Sequence, residues 1–103
     1  MKFCEVKYLR NSATYDDLVE HLTLCSSEFI PPLDSYVDIN IYAWKINKFA
    51  VTFEAWHNEN LIGLAAVYYN NQESRIGFLT NLSLLKNCQR MGIATHLMFD
   101  VIK

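Results

Sequence analysis

Apolar and polar positions change period along the chain in a way that marks seven elements in the order βααβββα. Phe3 to Tyr8 alternates weakly and predicts a short first strand, followed by a polar break at Arg10, Asn11 and Ser12. Thr14 with Asp17 three residues on has the spacing of a helix N-cap, with Asp16, Asp17 and Glu20 supplying negative charge near the helix start. Tyr15, Leu18, Leu22, Cys25 and Phe29 then recur at helical spacing, and Pro31-Pro32 predicts the end of this helix. A second helix is expected to be capped by Asp34 or Ser35. Val37, Ile41, Trp44 and the stem of Lys48 mark its buried face, in a band widened by Tyr36, Ile39, Tyr42 and Ile46.

From Phe49 the period becomes two. Phe49, Val51, Phe53 and Ala55 alternate with Ala50, Thr52, Glu54 and Trp56 up to a polar hairpin turn at His57-Asn58-Glu59-Asn60. Leu61 to Tyr69 is apolar on both faces, as an interior strand covered from two sides would be, and Asn70 to Ser74 supplies the next turn. The last strand, Ile76 to Leu85, sets Ile76, Phe78, Thr80, Leu82 and Leu84 on one face. The opposite face, Gly77, Leu79, Asn81, Ser83 and Leu85, is unusually polar for a buried strand. Beyond Lys86-Asn87, Ile93, Leu97 and Val101 fall at helical spacing, as do Ala94, Met98 and Ile102.

The chain has 103 residues, 51% hydrophobic and 14% aromatic, which predicts one domain over residues 1–103 and excludes intrinsic disorder. Nine basic against eleven acidic residues, with no basic cluster, argue against nucleic acid as the main partner. The longest stretch without charge, Asn60 to Gln72, is thirteen residues and too short to span a bilayer. No secretory signal is visible at the N-terminus, so the expected address is the cytoplasm. Cys4, Cys25 and Cys88 are widely spaced and odd in number, which argues against a disulfide framework and against a zinc site. His21, His57 and His96 have no metal-ligand spacing and read as structural, and no metal is expected.

Gln89-x-x-Gly92-x-Ala94, between a strand and an apolar helix, carries the chemistry. Small residues at a helix start let backbone amides approach an anion, and Arg90 adds charge at the rim. This motif, with Asn81-Leu82-Ser83-Leu84-Leu85 before it and a helix pair after a short first strand, resembles the GNAT superfamily of acyl-CoA-dependent N-acyltransferases. The resemblance covers essentially the whole chain and implies an α+β fold, a mainly antiparallel twisted sheet flanked by helices. It implies acetyl-CoA as cosubstrate, with Leu82, Ser83 and Leu84 pairing with its pantetheine arm. Gln89, Arg90, Met91, Gly92, Ile93, Ala94 and Thr95 would surround the pyrophosphate. The implied reaction is direct attack of a primary amine, on a small molecule or peptide, upon the thioester.

Three features depart from the family pattern. Arg90 stands where glycine is frequent, Cys88 stands where a bulky residue is frequent, and Lys103 precedes the strands and helix that complete the fold. The tyrosine that often protonates the departing thiolate belongs to that part. Some members carry a glutamate early in the fourth strand, whereas Ile76 to Leu79 holds no acid. Glu54 is then the candidate base, directly or through water, and Asn81 the candidate for orienting water or substrate; both are catalytic candidates. Trp44, Tyr42 and Tyr36 border the acceptor pocket in such a fold. The alternative reading is a truncated, non-catalytic acyl-CoA-binding module, or a fragment of a longer acetyltransferase. The exposed edge of the last strand further predicts association through that edge, in a homodimer or with a fragment supplying the remainder, which a monomer with freely exchanging strand amides would contradict.

Overall fold

A computed structural model describes residues 6–71, 76–88 and 92–102. The elements are β1 (Lys7–Arg10), α1 (Tyr15–Cys25), α2 (Ile39–Phe49), β2 (Val51–His57), β3 (Asn60–Asn71), β4 (Ile76–Leu84) and α3 (Ile93–Ile102), with short 3-10 turns at Ser26–Glu28, Leu33–Ser35 and Lys86–Cys88. The four strands form one antiparallel sheet in the order β1-β2-β3-β4. Among the described residues no helix is long and apolar enough to cross a membrane.

Burial of the sheet on both faces explains the two core clusters. Leu18 and Leu22 of α1 and Ala43 and Ile46 of α2 pack with Leu61, Leu64 and Ala66 on one face. Ile93 and Leu97 of α3 pack with Phe53, Ala55, Ala65 and Val67 on the other. Gly63 lets α3 settle this close, since a Cβ there would stand 2.8 Å from Leu84 and 3.1 Å from Ile93. The double cover also explains why Thr52, Phe53, Glu54 and Ala55, members of both alternating sets, are all buried in β2.

Local chemistry sets several boundaries. Thr14 and Asp17 form a reciprocal capping box at α1, with the Thr14 amide donating to Asp17 Oδ2 at 2.9 Å and the Asp17 amide to Thr14 Oγ1 at 3.2 Å. Asn58 and Glu59 take φ of 49° and 66°, the pair of left-handed residues that a tight two-residue hairpin requires.

Other boundaries differ from the sequence reading. The first strand lies at Lys7–Arg10, and the part of the prediction falling on residues 1–5 is outside the described residues, as is the turn predicted over residues 72–74. Helix α1 ends at Cys25, before Pro31, because the chain tightens into the Ser26–Glu28 turn. The N-cap of α2 is Asp38, whose Oδ1 accepts from the amides of Asn40 and Ile41 at 2.9 and 3.3 Å; Asp34 and Ser35 lie in a 3-10 turn. Helix α2 buries Ala43 and Ile46 and leaves Ile41 and Trp44 exposed, because the small Ala43 admits the close approach to the sheet. Phe49 closes this helix and is exposed, rather than opening β2.

Candidate functional site

The site grows out of an irregularity in β4. Leu79 pairs with Val67 and Asn81 with Ala66, so Thr80 is an extra residue bulged from the ladder. A bulge reverses the alternation, which is why the two faces predicted for this strand do not continue through it. Asn81 and Ser83 lie opposite Ala66 and Leu64, towards α1 and α2, while Leu82 and Leu84 pack with the α3 cluster. Helix α2 pins the bulge, for Tyr42 Oη donates to the Thr80 carbonyl at 2.7 Å.

Strand geometry fixes where the backbone of β4 points. The Leu85 amide donates to Ile62 O at 3.0 Å, so in an antiparallel ladder the amides of Ser83 and Leu85 face β3 and those of Leu82 and Leu84 face the open edge. Among the described residues β4 has no strand on that side. A groove of about 250 Å³ runs there, lined by Glu28, Phe29, Leu82, Ser83, Leu84 and Ala94.

The groove leads to the start of α3. Gly92 is exposed with φ of 75°, and a Cβ built on it would meet nothing within 4 Å, so the backbone is open to a close-lying ligand. The His96 amide donates to Gly92 O at 3.1 Å and opens the helical ladder. The amides of Ile93, Ala94 and Thr95 therefore lack intrahelical acceptors and sit at the positive end of the helix dipole. Gln89, Arg90 and Met91 lie outside the described residues. The donors present fit the two parts of acetyl-CoA they would hold: strand amides for an amide-bearing arm, a helix start for a diphosphate.

Glu54 is not placed to act as a base. It is wholly buried, and its two oxygens accept from the Ser12 and Ala13 amides at 3.0 and 3.1 Å, from the Ser12 and Thr52 hydroxyls, and from Trp56 Nε1 at 3.0 Å. Five donors occupy the lone pairs a substrate proton would need. The carboxylate instead fastens the loop between β1 and α1 to β2.

Asn81 joins a buried chain of polar groups that sequence reasoning passed over. Its Oδ1 accepts from Ser83 Oγ at 2.7 Å, and its Nδ2 donates to Tyr42 Oη at 3.4 Å. Ser83 Oγ in turn meets His21 Nε2 at 2.9 Å, and His21 Nδ1 meets the Leu61 carbonyl at 3.1 Å. The signal available in the sequence was a histidine beside the Leu18, Leu22 and Cys25 stripe of α1 and the polar face of β4, 62 positions apart. Burial lowers the His21 pKa from its ordinary 6.5 to about 4, against the opposing effect of its hydrogen bonds at Leu61 and Ser83. Cys25 Sγ lies 3.6 Å from His21 Nε2, and burial pushes its thiol up to about 11. Cys88 is likewise raised by burial, so neither buried thiol is an activated nucleophile.

A consequence for stability follows from the His21 shift. Between about pH 6.5 and 4 the unfolded ring holds a proton and the folded ring does not, so the unfolded chain binds more protons and stability falls as pH is lowered through that window. The full loss is expected to reach about 3 kcal/mol below pH 4. Urea unfolding at half-unit pH steps, with the ring titrated by NMR, measures it; a His21 ring titrating at 6 or above would refute it.

Four antiparallel strands covered by helices on both faces, with a bulged edge strand leading to an open helix start, place the chain in the α+β class. The sequence profile of the Acetyltransferase (GNAT) family matches residues 15–103, and the chain belongs to that family. No curated protein matches it. A GNAT-family acetyltransferase from Streptococcus pneumoniae superposes with a TM-score of 0.70 at 14% identity, covering 95% of this chain and 66% of that one. An aminoglycoside acetyltransferase from an uncultured soil metagenomic sample, in complex with sisomicin, gives 0.66 at 20% identity over 94% of this chain and 67% of that one. An acetyltransferase from Clostridium acetobutylicum with acetyl-CoA gives 0.64 at 22% identity over 95% and 71%. The chain thus spans about two thirds of the length of these structures. These likenesses establish the α+β fold with its antiparallel four-stranded sheet.

Proposed function

We propose that the chain binds acetyl-CoA along the β4 edge and transfers its acetyl group to a primary amine by direct attack. The observation that carries this reading is the continuity of outward-facing strand amides at Leu82 and Leu84 with the open helix start at Gly92. Bound acetyl-CoA supplies an activated acyl carbon and a thiol leaving group. The Leu82 and Leu84 amides orient the pantetheine arm and polarise the carbonyl that the amine attacks. The amides of Ile93, Ala94 and Thr95, with Gln89, Arg90 and Met91 ahead of them, hold the pyrophosphate. Ser83 contributes through its side chain, since its amide is turned to β3. Asn81 positions Ser83 and Tyr42 around the bulge.

The acceptor is a small-molecule or peptide amine; the sisomicin-bound relative supports an aminoglycoside as the first amine to try. The expected setting is the cytoplasm, consistent with the buried, reduced thiol of Cys25. A second reading, an acyl-CoA-binding module without turnover, is favoured by Glu54, whose five donors leave no free carboxylate oxygen for a base.

Calorimetric titration of acetyl-CoA together with thiol release in the presence of sisomicin, a polyamine and a short peptide separates these readings. Micromolar binding with amine-dependent thiol release establishes the transferase. Binding without release leaves the module, and no binding by the folded chain removes both.

A further inference from the structure

The bulge in β4 is locked by a hydroxyl from another element. A trans peptide points its carbonyl and the following amide in opposite directions, and the Asn81 amide, in phase with those of Ser83 and Leu85, faces β3. The Thr80 carbonyl is therefore turned out of the ladder, onto the same open edge as the Leu82 amide. Tyr42 Oη, from α2, reaches that carbonyl at 2.7 Å.

Hydrogen positions around the Tyr42 hydroxyl are set by its partners. A carbonyl oxygen only accepts, so the hydroxyl hydrogen goes to Thr80 O. Asn81 turns its Oδ1 to the Ser83 hydroxyl and so presents Nδ2 to Tyr42 Oη at 3.4 Å, with Thr80 Oγ1 at 3.3 Å from the same oxygen. Helix α2 holds the ring at this height over the strand, because Ala43 and Ile46, on either side of Tyr42 in the helix, are wholly buried in the core facing the sheet. The lock preserves a phase: Leu82 pairs with Ala65 and Ser83 with Leu64. Were the extra residue displaced beyond Leu82, that residue would pair with Leu64 and its amide would turn into the ladder. Capping the carbonyl has a second effect, since bare Thr80 lone pairs on that edge would repel any acyl oxygen drawn to the Leu82 amide.

We propose that Tyr42 is a positioning residue for acyl transfer, whose hydroxyl fixes the Thr80 bulge and so aims the Leu82 amide at the acyl carbonyl. The proposal rests on the acyl-transfer reading of the groove. With a diphosphate at the start of α3 and the arm running back along β4, the arm meets Leu84 first, and its acyl end meets Leu82, the outward amide nearest the bulge. Negative charge gathers on the acyl oxygen as the amine attacks, and a donor already aimed at that oxygen has no reorganisation to undergo. Tyr42 acts through the Thr80 carbonyl and the peptide units that join it to Leu82.

The test has one arm that needs no turnover. In amide spectra of the labelled parent, acetyl-CoA is expected to move the Leu82 proton downfield, and CoA, which has no acyl carbonyl, to leave it in place. Two donor-less variants, Tyr42→Phe and Tyr42→para-methylphenylalanine, the second filling the space of the hydroxyl, should lose this acyl-specific shift while the Leu84 shift persists. Tyr42→para-aminophenylalanine restores a donor and should restore the shift. A parent without the acyl-specific shift, or donor-less chains that retain it, overturns the positioning role whatever the activity. In the second arm, thiol release with an amine, the donor-less chains should lose about 30-fold in kcat, less than removal of an oxyanion donor costs because the Leu82 amide is misaimed and not deleted. Their acetyl-CoA affinity by calorimetry should stay within about threefold, since Leu84 and the helix start are untouched, and the amino variant should recover at least about a third of the parent rate. Folded donor-less chains with parental kcat overturn the positioning role and leave the transferase standing. A parent that binds acetyl-CoA and transfers nothing overturns the transferase, and the Leu82 spectra then decide by themselves whether Tyr42 aims that amide.

Discussion

Glu54→Ala is expected to destabilise the fold by about 3–5 kcal/mol, a large share of the roughly 5–15 kcal/mol that holds a domain of this size together. The carboxylate lies wholly buried among five donors, two of them the backbone amides of Ser12 and Ala13 that lead into α1. Alanine leaves those amides, the Ser12 and Thr52 hydroxyls and the Trp56 indole N–H facing a small void. Each unsatisfied buried donor costs about 1–3 kcal/mol, though partial rehydration keeps the sum below simple addition. The damage should be local first, because the loop tied by Glu54 sets the start of α1 and hence the approach of Leu18 and His21 to the sheet. Glu54→Gln keeps one acceptor oxygen while aiming an amide at other donors, so an intermediate loss of about 2 kcal/mol is expected. Urea unfolding of the three chains decides the matter: a loss under 1 kcal/mol for the alanine variant would mean that water reaches the five donors and that the carboxylate is not what ties the loop.

What the sequence made legible was local. The Thr14–Asp17 capping box, the left-handed pair at Asn58 and Glu59, and the glycine opening α3 each depend on chemistry within a few residues, and each stands where the pattern puts it. Assignments that depend on the third dimension went astray. Pro31 seemed to end α1, yet tightening at Ser26–Glu28 ends it earlier, and Trp44 outweighed Ala43 in hydrophobicity although the smaller residue is the one that reaches the sheet. The bulge at Thr80 left no mark in composition, and one extra residue was enough to exchange the faces of β4. Glu54 shows the limit most directly. A carboxylate in an alternating strand looks available for catalysis until the partners 41 and 42 positions away, Ala13 and Ser12, are seen to claim it. The polar face of Asn81 and Ser83 was visible, but its meaning lay in His21, on another element.

Gly92→Glu is expected to weaken acetyl-CoA binding about 100-fold or more, and the reason can be separated from damage to the fold. With φ at 75° any side chain costs roughly 1–2 kcal/mol of backbone strain, which Gly92→Ala shares in full. Neither side chain meets a protein atom near its Cβ, since nothing lies within 4 Å, so both variants should remain folded. Only glutamate adds a negative charge where the amides of Ile93, Ala94 and Thr95 and the helix dipole favour an anion. Two charges about 4 Å apart repel by roughly 1 kcal/mol in water and about 4 kcal/mol near a protein surface, and a diphosphate presents more than one charge. At 1.4 kcal/mol per tenfold change, the lower part of that range with its several charges already reaches about 100-fold. Alanine should then lose no more than about tenfold, all of it attributable to strain. Calorimetric titration of the three chains reads the difference. Equal losses in both variants would assign the effect to the backbone of the turn and place the pyrophosphate elsewhere, whereas a loss confined to glutamate that shrinks as salt is raised would locate the anion at the start of α3.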